Sequence, residues 1–103
     1  RMIPTGLAMS IPEGYEVQIR ARSGMSIKHG ITMVNGIGTI DADYRGEVGV
    51  LAINLSQEPF TIEPGMRIAQ MVVARYEVAS WNIVTELDET DRGAGGYGSS
   101  GTN

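Results

Sequence analysis

Thiols and imidazoles are almost absent from this chain, which has no cysteine and one histidine, His29, among its 103 residues. The missing thiols exclude disulfide bonds, thiolate metal ligands and a cysteine nucleophile, and one imidazole cannot build a histidine-rich metal site. No apolar run approaches the roughly 20 residues that cross a bilayer. The default expectation is a cytoplasmic protein that does not bind membranes.

Positive charge is also scarce. The formal net charge is -4, with eight Lys and Arg against 12 Asp and Glu. Nucleic-acid binding requires a basic face that displaces counterions from phosphates, so this composition argues against it. Lys28 is the only lysine, and arginine is the residue that binds phosphate groups through paired hydrogen bonds. A small anionic ligand remains possible.

No convincing helical stripe is present, and apolar and polar residues alternate instead. Residues 15–21 have the period of two typical of a half-buried strand, and we predict that they form a hairpin with a strand at residues 7–11. The apolar run at 48–55 predicts a central strand covered on both faces, and residues 67–73 a further strand. A brief helix is expected near residues 24–30. Frequent turn signals and 14 glycines predict one all-β barrel or sandwich.

The segment Arg22-Ser23-Gly24 directly follows the predicted strand at residues 15–21. A guanidinium, a hydroxyl and exposed amides would therefore emerge together, and such a group can hold a phosphate. Taken alone, the segment is more typical of an ordinary junction between a strand and a turn.

Residues 36–46 contain a second candidate group. Asp41 could orient and deprotonate water, while Tyr44 offers a flat wall for a sugar or base. If the backbone is extended there, Asp41 and Asp43 point to opposite sides, so only one faces a given pocket. Taken alone, this segment too is more typical of a polar hairpin turn.

The composition changes after Trp81, where an acidic stretch precedes glycine-rich residues 93–98. These match G-x-G-x-x-G, but a dinucleotide site requires a βαβ unit, and a Walker loop requires lysine where Ser99 stands. A glycine-rich tail alone is typical of a disordered terminus. Arg92 and Tyr97 within it favour a flexible arm that carries both residues onto a ligand.

Four segments, taken together and in order, resemble the second to fifth sequence motifs of the homotrimeric dUTPases. The segments are residues 22–24, 35–46, 65–71 and 92–98. The strings that mark them are R-S-G, G-x-I-D-x-D-Y-x-G, P-G-x-R-I-A-Q, which begins at Pro64, and D-R-G-x-G-G-[FY]-G, which begins at Asp91. Pro4-Thr5-Gly6 also matches the strand entry that precedes the second motif, so the resemblance covers essentially the whole chain. The first motif, A-G-x-D-L, is absent, and we expect that an N-terminal segment is missing.

The resemblance implies a jelly-roll-like β-barrel subunit with a flexible C-terminal arm, assembled as a homotrimer. Residues 1–85 are expected to form the barrel, with N-terminal strands missing, and residues 86–103 the arm. Each active site would lie between subunits. One subunit would supply the Arg22 segment and Gln70, a second would supply residues 35–44, and the third its arm.

The implied reaction is hydrolysis of dUTP to dUMP and pyrophosphate, which keeps uracil out of DNA and supplies dUMP for dTMP synthesis. By the resemblance, Asp41 activates a water for in-line attack on the α-phosphorus. Ser23 and Arg22 would face the phosphates with support from Gln70, and Arg92 would clamp the γ-phosphate. One Mg²⁺ would be chelated by the three phosphates and by waters, so no metal ligand is expected from the protein.

The resemblance also assigns specificity. A tight hairpin around Asn35 and residues 38–40 would read uracil through backbone groups and exclude the 5-methyl group of thymine. Tyr44 would pack where a ribose 2′-hydroxyl would sit, and Tyr97 would stack on uracil when the arm closes. The expected catalytic residues are Asp41 and Ser23, and the expected substrate-binding residues are Arg22, Ser23, Gly24, Asn35, Gly38, Thr39, Ile40, Asp41, Tyr44, Gln70, Arg92, Gly96 and Tyr97.

Two other functions stay open. The dCTP deaminase branch of the superfamily, with its bifunctional members, uses a catalytic Glu and a different polar string, so the Asp41–Tyr44 pattern and the glycine arm favour dUTPase. A non-catalytic regulatory relative is disfavoured by the intact Asp41, Arg92 and Tyr97. The missing first motif slightly favours such a non-catalytic relative.

Three residues also have structural alternatives. Gln70 could instead satisfy backbone groups, and His29 is expected to be structural. Trp81 is expected to pack beneath the arm or at a subunit contact.

Overall fold

A computed structural model describes residues 1–98 of the chain. In chain order its elements are β1 (Met2–Pro4), β2 (Tyr15–Ala21), α1 (Ser23–His29), β3 (Ile31–Met33), β4 (Gly38–Ile40), β5 (Gly49–Asn54) and β6 (Ala69–Arg75). The strands form two antiparallel sheets, of order β1-β5-β3 and β4-β2-β6. The all-β prediction and the short helix are confirmed. Within residues 1–98, no helix has the length and apolar character to cross a membrane.

Strand β2 is the centre of its sheet. It pairs with β6 along its whole length and with β4 over residues 17–19, and its Val17 and Ile19 side chains are buried. The predicted hairpin with residues 7–11 is wrong, because both edges of β2 are already occupied. Residues 7–11 form no strand, and the Leu7 carbonyl instead accepts a 2.8 Å hydrogen bond from the Val48 N–H.

Strand β5 is the centre of the other sheet, as the apolar run at residues 48–55 predicted. Val50 is buried on its inner side, and Val48, directly before the strand, is buried as well. Leu51 and Ile53, on the outer side, are 37% and 38% exposed. Among residues 1–98, the predicted covering of both faces of this strand is therefore not met.

A small core lies between the two sheets. The Cα radius of gyration is 19.2 Å, whereas that of a compact domain of about 100 residues is about 13 Å. Rather little of the chain is therefore packed against this core. After β6, residues 76–98 form no strand or helix, and Trp81 is 93% exposed. Trp81 thus does not pack beneath the part of the arm that the structure describes, residues 86–98. The core cluster of buried side chains comprises Ile11, Val17, Ile19, Met33, Ile40, Val48 and Val50.

Helix α1 ends at a glycine that is tightly packed. Gly30 has a left-handed backbone (φ 68°), and its N–H caps the last turn of the helix through the Met25 and Ser26 carbonyls. A methyl group on Gly30 would lie 2.9 Å from the Ser56 backbone N. The neighbouring His29 ring lies 4.5 Å from the Phe60 ring, centroid to centroid. This contact supports the structural role expected for His29.

The turn before β6 also follows the sequence prediction. The Met66 N–H donates to the Glu63 carbonyl at 3.1 Å, and Gly65 between them has φ 82°. Pro64 precedes that glycine, as is usual in a type II turn. Strand β6 then begins at Ala69, two residues later than predicted.

These two glycines allow a matched stability test. Gly30→Ala combines left-handed strain with a steric clash, so we expect it to lower the free energy of unfolding by about 2–4 kcal/mol. Gly65→Ala has the same strain but no atom within 4 Å of the new methyl group, so a loss of about 1 kcal/mol is expected. The measurement is urea unfolding at one fixed chain concentration. Equal losses would contradict the packing of Gly30 against Ser56.

Candidate functional site

A cavity of about 300 Å³ opens beside β4 and the turn that follows it. Its volume is at the lower end of the range for small-ligand pockets. Met2 and Leu51 also line it, and no sequence signal pointed to them because they reach it through the long-range pairing of β1 with β5. The predicted binding residues that line this cavity are Asn35, Gly38, Thr39, Ile40, Asp41 and Tyr44.

The turn between β3 and β4 contributes Asn35 to the wall of the cavity. The predicted hairpin is wrong in its pairing, since β3 pairs with β5 and β4 with β2, so this turn joins the two sheets. Gly36 has φ 71°, and its N–H donates to the Met33 carbonyl at 3.1 Å. Strand β4 is an edge strand of its sheet. Within residues 1–98, its outer backbone groups therefore have no strand partner and can meet a ligand.

Asp41 and Tyr44 are held at this cavity by one turn. The Tyr44 N–H donates to the Asp41 carbonyl at 3.1 Å, so the backbone is not extended there as the sequence argument assumed. Asp41 still lines the cavity without Asp43. Both carboxylates border a wider acidic cleft on the other side, together with Glu16. One carboxylate and one aromatic side chain thus border the same ligand-sized space.

The predicted phosphate-binding residues lie at the opposite end of β2. Arg22 precedes α1, and its Nη1 donates to the Arg67 carbonyl at 2.8 Å. Ser23 is the exposed first residue of α1, and a methyl group on Gly24 would meet nothing within 4 Å. The Gln70 Nε2 donates to the Ala21 carbonyl at 3.0 Å. Gln70 therefore has the backbone contact that its structural alternative required.

The register of β2 sets the separation of the two groups. Ile40 lies opposite Val17, so Asp41 is level with the first residues of β2, whereas Arg22 follows its last residue. At about 3.3 Å per residue, the two positions are separated by roughly 15–20 Å along the strand. Asp41 and Arg22 of one chain therefore cannot contact the same reacting phosphate.

The C-terminal candidates form a third group. Arg92 Nε donates to the Gly95 carbonyl, and the Gly95 N–H returns a 3.3 Å bond to the Arg92 carbonyl. Tyr97 has φ 36° and a fully exposed side chain. Arg92, Gly96 and Tyr97 are not part of the cavity lining that the structure describes. The predicted arm, residues 86–103, falls within the described residues only up to residue 98.

The carboxylates and the histidine do not form a metal cage in the described part of the chain. Across residues 1–98, no group of three or more His, Cys, Asp or Glu side chains could hold a metal ion. The donor set is compatible with a magnesium ion carried by nucleotide phosphates and waters, because Mg²⁺ keeps several waters and needs few protein ligands in such sites.

Two antiparallel sheets, with a ligand-sized cavity beside one edge strand and residues Arg22 to Gly24 at the far end of β2, define an all-β protein of jelly-roll type. The sequence profile of the dUTPase family matches residues 1–101. The chain belongs to the dUTPase family.

The names of similar proteins and of a similar solved structure agree with this family membership. The deoxyuridine 5'-triphosphate nucleotidohydrolase of Desulfotalea psychrophila is 61% identical over 100 residues, which cover 97% of this chain and 67% of the relative. The protein of the same name from Orientia tsutsugamushi strain Boryong is 57% identical, with 97% and 68% covered. The structure of Staphylococcus bacteriophage 80alpha dUTPase with dUPNHPP has a TM-score of 0.83 at 29% identity, covering 98% of this chain and 75% of the phage chain.

The Gln70 contact predicts a small effect on stability. Gln70→Met keeps the side-chain length but removes the donor to Ala21, so we expect the free energy of unfolding to fall by about 1 kcal/mol. Gln57→Met is the matched control, because Gln57 is exposed and makes no side-chain hydrogen bond within residues 1–98. A change below about 0.5 kcal/mol is expected there. Equal effects in urea unfolding would argue against a structural role for Gln70.

Proposed function

We propose that the chain hydrolyses dUTP to dUMP and pyrophosphate. The observation that carries this proposal is the cavity beside β4, where six residues predicted to bind substrate border one space. Membership of the dUTPase family and the names of the relatives support the same reaction. The proposed physiological consequence is that uracil is kept out of DNA while dUMP is supplied for dTMP synthesis.

Within the cavity, the nucleoside is proposed to bind along β4. The outer backbone groups of this edge strand are proposed to pair with the donors and acceptors of a uracil edge, and Asn35 borders the same space. Tyr44 is proposed to pack against the deoxyribose and to exclude a 2′-hydroxyl. Asp41 is proposed as the general base that orients a water for in-line attack on the α-phosphorus.

The phosphates are proposed to be bound by residues from other copies of the chain. Arg22, Ser23 and Gly24 would come from a second subunit with Gln70, and the third subunit would supply Arg92, Gly96 and Tyr97. The separation of Asp41 from Arg22 along β2 supports such a shared site.

A homotrimer is the proposed assembly, and exposed apolar side chains such as Leu51, Ile53 and Trp81 support it. Residues 1–85 are proposed to form its barrel domain. Residues 86–103 are proposed to form the arm that closes over the substrate.

Magnesium is the proposed cofactor. It would be bound mainly by the substrate phosphates and waters, which suits a chain whose described residues provide no metal cage. Its contribution would be to neutralise charge on the triphosphate. The side chains of Arg22 and Arg92 would add fixed positive charge where negative charge develops on the phosphates.

A nucleotide panel tests the proposed reaction. Pyrophosphate release is measured with Mg²⁺ for dUTP, dTTP, dCTP and UTP, and ammonia release is measured for dCTP. We expect kcat/KM to be much higher for dUTP than for dTTP, dCTP or UTP. Ammonia from dCTP would contradict the proposal in favour of a deaminase, and pyrophosphate from dTTP at a comparable rate would contradict uracil recognition along β4.

Replacing the proposed base tests the mechanism. Asp41→Asn should reduce the rate of pyrophosphate release roughly 100- to 10,000-fold, because the amide cannot accept the proton of the attacking water. Binding of dUPNHPP, measured by calorimetry, should change little. Asp43→Asn is the matched control, because Asp43 does not line the cavity, and it should retain most of the turnover. Undiminished turnover in Asp41→Asn would reject the assignment.

A further inference from the structure

We propose that Gly46 is a positioning residue that sets the orientation of the Tyr44 ring and thereby the selection of deoxyribose over ribose. The Tyr44 ring is folded back over Gly46. A methyl group built on Gly46 would lie 2.5 Å from Tyr44 Oη, 2.8 Å from Cζ and 3.0 Å from Cε1. These distances are shorter than contacts that real Cβ atoms make, so only glycine leaves room for the ring in this orientation.

The requirement for glycine here is one of space. Unlike Gly30 and Gly36, Gly46 does not have a left-handed backbone. An alanine can therefore adopt the same backbone conformation without strain, and the clash falls on the end of the tyrosine side chain. We expect the ring to swing away while the chain keeps its fold, because Tyr44 is 45% exposed and has solvent to move into.

The ring orientation is fixed by a second contact. Tyr44 Oη donates to the Glu47 carbonyl at 2.7 Å. That carbonyl is itself anchored, since Glu47 Oε2 accepts a 2.8 Å bond from the Gly6 N–H and the Val48 carbonyl accepts a 2.6 Å bond from Thr5 Oγ1. Gly46 lies between the ring and its anchor, so a side chain there would break the Tyr44 contact with Glu47.

The displaced ring would change the cavity selectively. Tyr44 and Asp41 are joined by the 3.1 Å turn bond and border the same cavity, whereas Gly46 does not line it. A substitution at Gly46 therefore acts on the sugar-facing wall through Tyr44. This inference rests on the proposed function, because it assumes that Tyr44 faces the sugar.

A double-mutant cycle tests the inference with Gly46→Ala, Tyr44→Ala and the combined variant. Two quantities are measured for each protein, the kcat/KM ratio of dUTP to UTP and the calorimetric Kd ratio of dUMP to UMP. Gly46→Ala should lower both ratios by roughly five- to tenfold, because the displaced ring no longer excludes the 2′-hydroxyl. Tyr44→Ala should lower them at least as much. Gly46→Ala should then have no further effect in the Tyr44→Ala background, because no ring remains to clash.

The outcomes separate this inference from the proposed function. If Tyr44→Ala lowers both ratios but Gly46→Ala does not, the positioning role is overturned while the sugar-facing role of Tyr44 stands. If Tyr44→Ala changes neither ratio, both assignments are overturned. The positioning role of Gly46 would also be overturned if Gly46→Ala lowered the two ratios equally in the wild-type and Tyr44→Ala backgrounds.

A folding defect would be informative as well. If Gly46→Ala unfolds, recovery of the fold in the combined variant supports the steric link between Gly46 and Tyr44. If both proteins unfold, Gly46 acts by some route other than the ring, and the inference is overturned.

Discussion

The pairing of β2 on both of its edges is the constraint on which the rest of the structure depends. Seven residue pairs join it to β6 and three join it to β4. This double pairing provides partners on both edges of the strand at residues 17–19 and places Val17 and Ile19 in the core. It also fixes where functional residues leave the sheet, because Asp41 follows β4 near the first residues of β2 and Arg22 follows its last residue.

That separation gives a physical reason for a site shared between copies of the chain. The backbone ladder keeps Asp41 and Arg22 roughly 15–20 Å apart along the strand, and a side-chain rotation cannot close such a distance. The same chain leaves apolar residues uncovered on β5 and after β6. In the proposed homotrimer, association would bury apolar surface. Residues Arg22 to Gly24 of one copy are proposed to lie at the cavity of another.

Local features were predictable from the sequence where the chemistry of one or two residues decides the backbone. Gly30 ends α1 with a left-handed backbone, and Pro64-Gly65 forms the turn before β6. The candidate residues around Asp41 were also predictable, because they lie within ten residues of one another and follow a recognisable motif. The structure places six of them at one cavity.

Long-range pairing was not predictable in the same way. Residues 7–11 alternate like a strand, yet the edge of β2 that they were expected to occupy is taken by other strands. Met2 borders the cavity only because β1 pairs with β5 far along the chain. Gly46 shows the same limit, since the sequence indicates a turn glycine, whereas the need for space beneath Tyr44 depends on where the ring packs.

The central claim is that Asp41 and Arg22 act in the same site from different copies of the chain. Mixing two inactive variants, Asp41→Asn and Arg22→Ala, tests it directly. After unfolding and refolding together in equal amounts, about one quarter of the sites in randomly assembled oligomers would combine an intact Asp41 with an intact Arg22 from a neighbour. We predict recovery of about one quarter of the wild-type rate of pyrophosphate release from dUTP. If the mixture stays as inactive as its components while the wild-type chain regains activity after the same treatment, the shared site is contradicted.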